Sequence, residues 1–145
     1  MASSASAITD QLITVLAGIT NVGSGNAAKT YDVLETGSSQ YVFVVRPESG
    51  KLVNDSFGDA AMNPTEDVTF LCEGFVKDLG NPVSFMDAQL TLINDFRTAI
   101  DDKRTLNSTV EVAIVDRWEV PDMELNISGQ IWQPIRFWVR CMVIN

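Results

Sequence analysis

The chain has 145 residues, 46% hydrophobic and 20% charged: enough apolar material for one core, too little length for two full domains. Ten lysines and arginines face nineteen aspartates and glutamates, a net charge of −9, and there is no histidine. A histidine triad, a histidine zinc site and an imidazole acid–base pair are excluded, and a basic face for gripping nucleic-acid phosphates is not expected.

Residues 6–20 read as an amphipathic helix, because Ile8, Leu12, Val15, Leu16 and Ile19 recur at steps of three and four. Ser4 or Ser6 can cap it, and Asp10 suits the positive end of its dipole. Glycines 23 and 25 then break it. Residues 40–46 are a strand apolar at both parities, so cover is expected on both faces, or on one face plus a neighbouring subunit; Pro47 is expected to end it. Residues 48–65 hold two glycines, two asparagines and Pro64, and read as a long loop. In 66–78 strand character returns, with Val68, Phe70, Cys72 and Val76 on one face and Thr69, Glu73 and Lys77 on the other.

After the turn residues 79–82, Ser84 is expected to open a second helix with a wide apolar stripe over 85–100. Residues 109–120 alternate. Val110, Val112, Ile114, Trp118 and Val120 are read as one face, and Glu111, Ala113, Val115, Arg117 and Glu119 as the other. Beyond Pro121 the apolar parity flips to Met123, Leu125, Ile127 and Ile131, which requires a bulge, a turn or a new strand. The final strand, 135–144, sets Ile135, Phe137, Val139, Cys141 and Val143 against Arg136, Trp138 and Arg140. The expected fold is α+β: a mostly antiparallel sheet with two helices packed on one face, in the order α-β-β-α-β-β.

Residues 1–7 lack a basic n-region, and no apolar run approaches the roughly 20 residues of a membrane span. A soluble chain kept in a cytoplasm is expected. Catalytic chemistry has few candidates. Asp116 with Glu119, or Glu73 with Asp78, are the nominal carboxylate pairs, and both also read as solvated strand and turn charges. Cys72 and Cys141 fall on apolar strand faces, where a thiol is an inert small hydrophobe. No metal or cofactor motif is present, and the expected reading is a protein without catalytic residues, metal or cofactor. Aromatic and arginine side chains, the types enriched at protein interfaces, stand out instead. Trp138, Arg136 and Arg140, with Trp132, are therefore the expected subunit interface, whereas Trp118 is read as core.

The layout resembles that of the tail terminator (tail completion) proteins of long-tailed, lambda-like bacteriophages. The likeness rests on the short N-terminal helix, strands 41–46 and 68–77, the helix 84–100, and the alternating pair 110–120 and 135–144. It implies a single domain spanning 1–145 that acts as a structural virion protein. Its copies would form a ring, hexameric in that family, on the last layer of the tail tube, where it ends polymerisation and offers a surface for head joining. The implied partners are further copies of the chain, the tail tube protein and a head–tail connector or neck protein. DNA passes through the ring without specific binding, and no membrane is involved. Assembly in the host cytoplasm and residence in the virion tail or neck follow. An acidic lumen would let DNA slide, so Asp101, Asp102, Asp116, Glu119 and Glu124 are the expected lumen or ring-face acids. The loop 48–65, with Lys51, Leu52 and Phe57, is the expected partner-docking arm. The alternatives are another neck component, such as a connector or head-completion protein, a small acidic binding module, and an enzyme.

Overall fold

Ser4 starts the first helix by accepting a hydrogen bond from the backbone N–H of Ala7. In the computed structural model, which describes residues 4–36, 39–53 and 65–144, this helix is α1 (Ala5–Ala17). Its stripe Ile8, Leu12, Val15 and Leu16 is buried, as is Ile19 just beyond. There follow β1 (Ala27–Ala28), a single helical turn α2 (Val33–Thr36), β2 (Tyr41–Val53) and β3 (Thr65–Lys77). The second long helix is α3 (Pro82–Asp102), and the chain closes with β4 (Val112–Glu119), β5 (Leu125–Ile127) and β6 (Gln130–Ile144).

The sheet order is β1-β2-β3-β6-β4, with β5 paired to β6 off that path. Every pairing is antiparallel except the two-residue β1–β2 contact. The α+β architecture with two main helices on one sheet face is therefore observed, with three short elements added. One face carries the main core: Phe43, Phe70, Cys72, Phe137, Val139 and Cys141 pack beneath α1 and α3. Phe96 of α3 stacks on Phe137 with ring centroids 3.9 Å apart. Gly74 lets α3 approach closely, since a Cβ there would lie 2.9 Å from Phe43 and 3.0 Å from Leu92. A second, smaller core lies on the opposite face. There Val33 and Leu34 of α2 cover Val42, Val44, Phe75 and Trp132, flanked by Leu125 and Ile127 of β5. Hence residues 41–45 are buried on both faces, as their composition requires.

Four expectations are corrected. Pro47 does not end β2, which continues to Val53 through a register shift between Pro47 and Ser49. Since β1 pairs only with Phe43 and Val44, Pro47 sits on an edge where no ladder N–H is needed. Much of the expected loop 48–65 is therefore strand, and residues 54–64 lie outside the described residues. The cap of α3 is Asn81, not Ser84. Its Oδ1 accepts from the N–H groups of Val83 and Ser84, and Pro82 occupies the first turn, where its missing N–H costs nothing. In β4 the grouping of the faces changes. Ala113 is buried and Val115 half-buried against the core, whereas Ile114 is exposed. A bulge at Asp116, between Val115 and Arg117, then shifts the register, so that Trp118 pairs with Phe137 on the helix-bearing face. The parity flip beyond Pro121 is β5 and its tight hairpin to β6, whose turn residues Ser128 and Gly129 both have positive φ, 53° and 84°.

Candidate assembly surface

The sheet face away from α1 and α3 is charged wherever α2 and β5 do not cover it. Pairing places Arg46, Leu71, Trp138 and Arg117 in one row across four strands, and Val44, Glu73, Arg136 and Glu119 in the next. Six of the ten cationic residues, Arg46, Lys51, Lys77, Arg117, Arg136 and Arg140, thus share one face in a strongly acidic chain. Carboxylates from neighbouring strands answer them. Arg140 pairs with Asp67 at 2.5 Å, and this pairing holds the guanidinium above its ordinary pKa. Arg136 Nε lies 3.9 Å from Glu73, which also accepts a hydrogen bond from the Tyr31 hydroxyl. Burial, then that bond to Glu73, raises the Tyr31 pKa.

Trp138 is the centre of this face and is only 7% exposed. The Arg117 guanidinium lies 3.7 Å from its ring centroid, and its indole N–H donates to Glu48 Oε2 at 2.8 Å. Its own chain therefore covers the aromatic surface expected to meet a neighbour, and Arg117 with the half-exposed Arg136 and Arg140 forms the outer layer. Trp132 is corrected more strongly. It is fully buried in the smaller core, 5.1 Å below Lys77 Nζ, and its indole N–H has no hydrogen-bond partner among the described residues. Trp118, read as core, is 45% exposed.

The five nominated acids do not form one group. Asp101 and Asp102 end α3, and Asp102 borders a groove of about 580 Å³ between α1 and α3 whose floor is Val15, Ile19 and Ala99. Asp116 and Glu119 lie on β4, and Glu124 lines a second groove of about 370 Å³ between the first turn of α3 and residues 120–124. All five are exposed. Of the docking residues, Lys51 is exposed on β2, Leu52 pairs in register with Glu66, and Phe57 lies outside the described residues.

The chemical groups available are limited. Glu73 and Asp78 are five residues apart on and beyond β3; Asp78 is engaged by the Gly80 N–H. Asp116 sits at the bulge, and Glu119 lies beside Arg136. Cys72 pairs in register with Phe137, and Cys141 with Val68. The register sets the two cysteines four residues apart along neighbouring strands, and both thiols are free. Burial pushes the Cys141 thiol up to about 12 and the Cys72 thiol higher, so both are protonated and unreactive at neutral pH. Among the described residues no group of three or more Cys, Asp or Glu side chains is arranged to hold a metal, and no helix is long and apolar enough to cross a membrane.

The sequence matches no protein-family model and no curated protein.

Proposed function

We propose that this chain is a structural virion protein of the tail terminator type. Copies of it close into a ring, hexameric as in the family it resembles, at the head-proximal end of a phage tail tube. The ring ends tube polymerisation and presents the surface to which the head joins. The observation that supports the reading is the architecture: two amphipathic helices on one face of a mostly antiparallel sheet, in the helix and strand order on which the resemblance rests. The chemistry fits a scaffold. The thiols are buried, and the prominent surface residues are arginines, carboxylates and apolar side chains in flat arrays. A net charge of −9 suits a bore through which DNA slides.

Electron microscopy of particles assembled without this protein tests the reading. Overlong tubes detached from heads are expected. Normal-length tails with leaking heads would replace it with the connector or head-completion alternative.

A further inference from the structure

Exposed apolar side chains are concentrated at one edge of the fold. Val83, Met86 and Leu90 recur along one flank of α3 and are 71%, 54% and 52% exposed. Trp118, Val120 and Met123, on β4 and just beyond it, are 45%, 38% and 44% exposed. The groove of about 370 Å³ joins the two groups, since Met86 and Val120 both line it. Among the described residues β4 ends the sheet order, and its outer edge is engaged at Ala113, whose N–H donates to the Arg104 carbonyl, with no strand beside the remainder. Single exposed hydrophobics are ordinary; six on two neighbouring elements, two of them lining the groove between those elements, mark a candidate contact surface.

The charges around it select the occupant. Asp122 and Glu124 line the groove, and Asp87 and Glu119 are exposed on the elements beside it. The cations of α3 and its C-terminal end, Arg97, Lys103 and Arg104, lie about two turns or more beyond Leu90, away from the groove. Arg117, on the same strand, is on the opposite sheet face and stacked on Trp138. Two copies of this flank facing each other would bring like charges together, which opposes a two-fold pairing. A partner surface must instead offer cations beside a strand edge. The other edge of the same sheet does so: among the described residues β2 has no outer neighbour beyond Val44, Arg46 and Lys51 are exposed along it, and the Glu48 carboxylate between them accepts from the Trp138 indole N–H.

We infer that the α3–β4 flank receives the β2 edge of a second copy of this chain, a head-to-tail contact that generates a ring. The inference rests on the ring reading above and names the surface that closes the ring. Val83, Met86, Leu90 and Trp118 supply the apolar burial. Asp122 and Glu124 meet Arg46 and Lys51 of the next copy and set its register.

The test is the solution mass of the full chain across a concentration series, alone and bound to tail tubes assembled without it. Leu90→Asp and Trp118→Asp replace exposed side chains, and circular dichroism confirms that each variant folds. Each is expected to raise the concentration for half-assembly about tenfold or more. Asp122→Lys with Glu124→Lys is expected to weaken assembly, as is Arg46→Glu with Lys51→Glu, and mixing the two charge-reversed chains should restore it. Variants that assemble at the wild-type midpoint would overturn the surface and leave the ring intact. Rings that form normally but fail to dock on tubes would give the flank to the tube protein and overturn the self-contact. A wild-type chain monomeric both free and on tubes would remove the ring reading itself.

Discussion

Arg117 of β4 lies over Trp138 of β6, its guanidinium carbon 3.7 Å from the ring centroid, and the register that brings them together exists because Asp116 is bulged out of the ladder. The contact closes the open sheet face over an indole whose N–H is already held by Glu48. Arg117→Ala is expected to cost about 1 kcal/mol of stability and to expose Trp138, read as a lower urea midpoint and stronger acrylamide quenching. Arg117→Lys should recover only part of this, because an ammonium cannot stack as a planar guanidinium does.

Gly74 is the point of closest approach between α3 and the sheet. Gly74→Ala puts a methyl carbon within 3.0 Å of Phe43 and Leu92, both fully buried, so neither can yield freely. A loss of about 1–3 kcal/mol is expected in urea unfolding. Combining it with Leu92→Val should recover part of that loss if the contact is the cause.

The start of α3 distinguishes two candidate caps. Asn81→Ala removes the acceptor for two backbone N–H groups and should cost about 1 kcal/mol. Ser84→Ala, inside the first turn and exposed, should be neutral in the same thermal melts.

Alkaline pH should destabilise the protein. An unperturbed thiol titrates at 9.0, whereas native Cys141 keeps its proton to about 12 and Cys72 further still. Above pH 9 the unfolded chain releases protons that the native chain holds, so stability falls as pH rises from 9 towards 12. Burial raises the Tyr31 and Tyr41 pKa values as well, which adds the same sign above 10. The urea midpoint should be lower at about pH 10.5 than at about pH 8, and the difference should shrink when both cysteines are replaced by alanine.

Much of the architecture was legible in the chain because it is written in local periods. The stripe Ile8-Leu12-Val15-Leu16 marks α1, and strict alternation over 135–143 separates the core face of β6 from its arginine face. Helical and strand periods follow from backbone geometry and need no knowledge of neighbours. The two cysteines likewise fell on the core side, as their alternation required.

What covers each face was decided only in three dimensions. Trp138 and Trp132 look alike in sequence, yet one is capped by Arg117 and Glu48, and the other lies beneath α2 and β5. Trp118, between alternating apolar residues, reads as core, and a one-residue bulge does set it on the helix-bearing face, yet on the last strand of the sheet order it stays 45% exposed. Periodicity assigns a side chain to a face, whereas burial depends on which distant segment packs there. The flank of Val83, Met86, Leu90 and Trp118 came into view only when strand pairing had set β4 at the sheet edge beside α3.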